Sequence, residues 1–127
     1  MTDIIEYIKP YKKHAESYPP SYTTSTSWQT KASIPVTLKP GTYCMSFSTQ
    51  FLAPAGGTQG DIALGFSGSP LLQSREQAIT VSTTQICSGC IRFVLTSPLT
   101  LTVDLLYKSA SGGSFGVSMS TVCVEEM

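Results

Sequence analysis

The side chains with most chemistry to offer are four cysteines, Cys44, Cys87, Cys90 and Cys123. Cys87-Ser88-Gly89-Cys90 has the spacing of a zinc knuckle, in which two thiolates converge on one tetrahedral ion. Cys44 and Cys123 are isolated, so no second knuckle completes the ligand set. Cys87 and Cys90 flank what reads as a tight turn at Ser88-Gly89, where they could also close a small disulfide. A redox pair would want a helix N-terminus, and free thiols are the default in a cytoplasmically made chain. The expectation is structural thiols, with disulfides and zinc as the alternatives, and no metal site is assigned.

His14 is the one histidine. A Ser-His-Asp or Cys-His device would need it carried from near the N-terminus into the body of the protein. Asp61 and Asp104 are single acids, one at the start of a strand pattern and one on its polar face, with nothing in their spacing to suggest a hydrolytic pair. Gly56-Gly57-Thr58-Gln59-Gly60 lacks the lysine and the following helix of a phosphate loop. No catalytic residue, enzymatic activity or cofactor is expected.

Eight basic residues balance eight acidic ones, and charged residues are only 13% of the chain against 41% hydrophobic. Without a net field or a basic cluster, neither nucleic acid nor an anionic membrane is an expected partner. So few charges on a β-protein surface suggest that part of it is covered in an assembly. No signal-peptide pattern opens the chain and no apolar run reaches a membrane span of roughly 20 residues, so synthesis in a host cytoplasm is expected.

The elements that would carry these residues are strands. Leu99, Leu101, Val103, Leu105 and Tyr107 alternate with Thr100, Thr102 and Asp104, the period of a half-buried strand. Tyr43, Met45, Phe47, Thr49 and Phe51 alternate equally well, with Cys44, Ser46, Ser48 and Gln50 on the other side. Shorter runs follow: Ile34-Val36-Leu38, Ile62-Leu64-Phe66, Ile79-Val81-Thr83, Ile91-Phe93-Leu95, and a closing strand through Phe115, Val117, Met119, Thr121 and Cys123. Pro40-Gly41 reads as a type II turn, and Leu71–Gln77 is ambiguous, its Ser74-Arg75-Glu76-Gln77 reading as either a helical turn or a bend. Turn signals every eight to twelve residues, without helix-strand alternation, predict an all-β fold: an antiparallel β-sandwich or jelly-roll over residues 31–127.

Residues 1–30 differ in character. Ile4, Ile5 and Ile8 suggest a short helix limited by Pro10, and Tyr18-Pro19-Pro20 opens an extended, hydroxyl-rich segment. Tyr7, Tyr11, Tyr18, Tyr22 and Trp28 lie here without a core pattern, and aromatics of this kind anchor one surface on another. The segment therefore reads as an N-terminal docking arm, with these five residues as its partner-binding side chains.

The stretch Val36-Thr37-Leu38-Lys39-Pro40-Gly41-Thr42-Tyr43-Cys44-Met45-Ser46-Phe47-Ser48 resembles a segment of the jelly-roll heads of complement-type and tumour-necrosis-factor-like proteins. There a Pro-Gly-x-Tyr turn enters a long inner strand of alternating aromatics. The aromatic arm before a Ser/Thr/Gly-rich jelly-roll also resembles small virion structural proteins of tailed phages. These resemblances imply a homo-oligomer, commonly a trimer, that decorates or cements a bacteriophage capsid by binding the major capsid protein or another shell protein through its arm. The alternative they leave open is a receptor- or glycan-binding tip of a phage fibre or spike.

Overall fold

The computed structural model describes residues 11–54, 58–77 and 85–127, and every regular element within them is a β-strand. The strands are β1 (Lys12–Ser17), β2 (Ser21–Thr23), β3 (Gln29–Leu38), β4 (Gly41–Leu52), β5 (Gln59–Phe66), β6 (Ser69–Gln77), β7 (Gln85–Leu95), β8 (Leu99–Ser109) and β9 (Phe115–Glu126). One antiparallel sheet runs β1-β9-β4-β7, with β2 continuing along β9, and the other runs β3-β8-β5-β6. Apart from the β5–β6 hairpin, successive strands from β2 onward lie in different sheets, so the chain repeatedly crosses the sandwich as a jelly-roll does.

The Leu99–Tyr107 alternation becomes β8, the strand between β3 and β5. Val103 stands between Ile34 and Phe66 in register, and Leu105 stands beside Leu64. From the other sheet, Tyr43, Met45, Phe47 and Phe51 of β4 meet Phe115, Val117, Val122 and Val124 of β9 in the same core. Each fully buried aliphatic or aromatic side chain of this size contributes about 1.5–3 kcal/mol. The outward residues of β4 are Cys44, Ser46, Ser48 and Gln50, as its alternation predicts.

Four local expectations are corrected. Ser88-Gly89 is no break, because β7 runs unbroken through it. Gly89 lies opposite Phe47, and a Cβ there would stand 2.9 Å from the Phe47 ring, so packing accounts for the glycine. Pro40-Gly41 is a corner between sheets and not a type II turn: Gly41 has a nearly extended φ of 158°, whereas that turn needs about +80°. The corner is closed by the Tyr43 hydroxyl, which donates to the Lys39 carbonyl at 2.7 Å. Leu71–Gln77 belongs to strand β6, whose Pro70 sits near the start of a sheet edge where a missing N–H is tolerated.

The fourth correction concerns β9. Its pairing with β4 shifts between Ser48 and Gln50, and Met119 takes a left-handed φ of 27°. This bulge changes the phase of the strand. Phe115 and Val117 face the core before it, Val122 and Val124 after it, and Thr121 and Cys123 turn outward. The polar groups at the bulge are satisfied internally: Thr49 Oγ1 lies 2.6 Å from Ser120 Oγ and donates to the Ser118 carbonyl at 3.0 Å. The helix expected before Pro10 and the Ile79-Val81-Thr83 strand lie outside the described residues.

Candidate functional site

Residues 11–30, expected to reach for a partner, lie against the protein's own sheet. β1 pairs with Ser120–Glu125 and β2 with Phe115–Val117. Tyr18-Pro19-Pro20 spans the gap opposite the Met119 bulge, where the Met119 N–H donates to the Tyr18 carbonyl at 3.0 Å. Lys31, 9% exposed, clamps this span by donating to the Pro19 carbonyl and to Ser21 Oγ at 3.2 Å. Burial lowers its ammonium pKa.

The aromatics of this segment divide into two groups, with Tyr7 outside the described residues. Tyr11 is half-buried, its ring edge-on to Tyr43 at a centroid distance of 6.4 Å, and burial raises its phenol pKa with a smaller push from Tyr43. Trp28 is half-buried beneath Lys108, whose Nζ stands 4.5 Å from the ring centroid. Both spend their surface on the protein itself. Tyr22 lies across Gly116, where a Cβ would meet its ring at 2.5 Å. Tyr18 donates to the Glu16 carboxylate, which raises its pKa. Tyr18 and Tyr22 nevertheless remain 52% and 45% exposed, beside Met119 at 53%. These exposed apolar side chains are carried by the β2–β9 region, and Met119 was not legible in the sequence, because nothing in the pattern marks it as the residue at a bulge.

The two acids are structural struts. Asp61 lies between Lys108 and Arg75 in register. Arg75 holds it with a fork, Nε to Oδ1 at 2.8 Å and Nη2 to Oδ2 at 3.1 Å, while Lys108 Nζ lies 3.8 Å from Oδ2. The Arg75 hydrogen bond holds the carboxyl below its ordinary range, against the opposing effect of burial. Asp104 accepts from Ser33 Oγ at 2.6 Å, the Gly68 N–H at 2.6 Å and Thr102 Oγ1 at 3.2 Å. It ties β3 and the β5–β6 hairpin to β8. Asp61 aligns with Lys108 and Asp104 with Gly65, so the carboxylates do not face each other.

Because β7 is continuous, Cys87 and Cys90 point to opposite faces of one strand and cannot share a ligand. Cys87 is buried, and burial is the main cause that pushes its thiol up to about 11. Cys90 is exposed on the outer face, where its Sγ lies 2.7 Å from Cys44 Sγ. Cys123 shares that face, since Cys90 and Cys123 flank Ser46 from either side in register, and His14 follows opposite Cys123. The bond to Cys90, then burial, then the nearby Cys90, Glu125 and Cys123 hold the Cys44 thiol up to about 11. Among the described residues, no three His, Cys, Asp or Glu side chains converge to hold a metal ion, and no helix is long and apolar enough to cross a membrane.

No protein-family model matches the chain, and no curated protein matches it in sequence. Solved structures share its fold. VP2 in the infectious bursal disease virus subviral particle superposes with a TM-score of 0.66 at 12% identity, covering 93% of this chain and 33% of that one. The Eiger TNF of S. frugiperda gives 0.55 at 10% identity and covers 94% of both chains. Dimeric latent PorU of Porphyromonas gingivalis gives 0.56 at 15% identity over 94% of this chain and 13% of that one. The chain thus spans about a third of the VP2 chain. At these identities the likeness is one of fold, and it agrees with the jelly-roll implied by Val36–Ser48.

Proposed function

We propose that this chain is a virion structural protein that decorates or cements a phage capsid shell, self-associating, most simply as a trimer, through its sandwich. The observation that carries this reading is the likeness in fold to the VP2 of a subviral particle across 93% of the chain. A low-charge, hydroxyl-rich surface suits burial between copies. Attachment to the shell runs through the first thirty residues, where the exposed Tyr18 and Tyr22 supply aromatic anchors, joined by the exposed thioether of Met119 on the neighbouring β9. Several copies per oligomer strengthen a weak individual contact by avidity.

Two measurements test this together. Light scattering on the full chain should give a multiple of the 13.6 kDa protomer mass, and the oligomer should co-sediment with empty capsid shells of the virus that carries the gene. Deleting residues 1–30 is a poor test, because it removes β1 and β2 from the sheet. Removing residues 1–10, or replacing Tyr18, Tyr22 and Met119 together by serine, should weaken sedimentation at least tenfold while leaving the circular dichroism of the body unchanged. A monomer that ignores the shells would overturn the proposal, and binding of that monomer to a glycan array would favour a fibre-tip role.

A further inference from the structure

The outer face of the β1-β9-β4-β7 sheet carries three thiols, Cys44, Cys90 and Cys123, that have no part in shell attachment. Cys44 on β4 and Cys90 on β7 are 46 residues apart in sequence and diagonal neighbours in the sheet, with Sγ atoms 2.7 Å apart. A disulfide needs about 2.05 Å, so small side-chain rotations separate contact from bond. Cys90 is exposed and open to reagents, whereas Cys44 is only partly exposed. Cys123, also partly exposed, lies on the far side of β4. Cys87 faces the core and is out of reach.

We propose that Cys44 and Cys90 form a modification site for low-molecular-weight disulfides, closing a reversible cross-strand disulfide that staples edge strand β7 to β4. The Cys90 thiolate attacks one sulfur of the reagent disulfide, forming a mixed disulfide and expelling one small thiolate. Cys44 Sγ, after losing its proton, then attacks Cys90 Sγ. The new Cys44–Cys90 bond replaces the mixed one, and the second small thiol leaves. The two protein thiols together lose two electrons and two protons, and the reagent disulfide is reduced to two thiols. The exposed sulfur attacks the reagent first, and the shielded one then resolves the mixed disulfide. This assignment stands apart from the capsid reading and survives its failure.

The full chain, reduced and then treated with oxidised glutathione, provides the test by intact mass and peptide mapping after alkylation. The expected product loses two hydrogen masses, carries no glutathione, and links the Cys44 and Cys90 peptides. Dithiothreitol should restore the starting mass. Cys44→Ser should stop at a stable glutathione adduct on Cys90, Cys90→Ser should lose most of the glutathione reactivity, and Cys123→Ser should still form the bond. Thermal melts of each variant establish that it is folded, and the wild-type mapping stands independently of the variants. Stable glutathione adducts on wild-type Cys90 without closure would overturn the proposal, as would a linkage through Cys123 in place of Cys44 or Cys90.

Discussion

Replacing Asp104 separates a structural carboxylate from a catalytic one. Its side chain is 4% exposed and accepts from three donors on three segments, Ser33 Oγ, the Gly68 N–H and Thr102 Oγ1. The Thr102 bond is the longest and its hydroxyl can turn elsewhere. The Gly68 N–H has no such freedom. Hydrogen bonds to a charged group are worth about 1.5–3 kcal/mol each, but removing the carboxylate also removes the cost of burying it. The expected loss for Asp104→Ala is therefore about 3 kcal/mol, well short of a simple sum. Asp104→Asn can still accept from Gly68 with its carbonyl, while its amide donates to a rotated Ser33 hydroxyl, so the expected cost falls to about 1 kcal/mol. In a thermal melt these should lower Tm by roughly 10 °C and 3–4 °C for a domain of this size, with urea titration giving the same order at unchanged m. An alanine variant within about 1 kcal/mol of wild type, or an asparagine variant as damaging as alanine, would refute the reasoning, the second by showing that charge rather than acceptor geometry matters.

Other perturbations follow from the same contacts. Asp61 has a folded pKa below its unfolded value of about 3.9, so it stabilises the fold above that pH and loses the contribution as pH falls through its folded pKa. Melts across acid pH should show a downward slope that Asp61→Asn flattens. Gly60→Ala puts a Cβ 2.2 Å from the Phe115 ring, with an expected cost of about 2–3 kcal/mol in urea unfolding. Adding Phe115→Leu should recover part of that loss. The β5–β6 hairpin has left-handed φ at both Ser67 (48°) and Gly68 (83°), so Ser67→Asn should raise stability by about 0.5 kcal/mol and Gly68→Ala should lower it by about 1–2 kcal/mol.

What was legible in the sequence followed from how sharply each strand's two faces differ. β4 and β8 alternate apolar with mostly polar side chains over most of their length, so their inward residues could be read directly, although nothing in that pattern shows that Asp104 and Leu106 on the other face of β8 are buried too. β1 could not, because an edge strand with only Ala15 packed against the core leaves Lys-Lys-His-Ala-Glu-Ser without an apolar face. In β7 a glycine that reads locally as a turn is explained by the distant Phe47 ring. In β9 the shift from odd-numbered Phe115 and Val117 to even-numbered Val122 and Val124 was present in the letters. Thr121 and Cys123 masked it by continuing the earlier phase with residues that suit either side. The Cys44–Cys90 contact was hidden by the same misreading of Gly89, since a turn there would have sent Cys90 elsewhere.

The first described strand is zipped to the last one. The Glu126 N–H donates to the Tyr11 carbonyl at 2.8 Å, the Tyr11 N–H donates to Glu126 Oε1 at 3.0 Å, and β9 lies between β1 and β4. A nascent chain emerging from the ribosome can pair β4 with β7 and build much of the β3-β8-β5-β6 sheet, yet among the described residues β1 and β2 have no strand to pair with until β9 is made. Closure of the sandwich thus waits for β9, and the long separation between its pairing segments makes that closure slow. Until then the apolar side of β4 is open along the edge β9 will occupy. Chain length already synthesised, more than local strand propensity, sets when this protein becomes safe from aggregation.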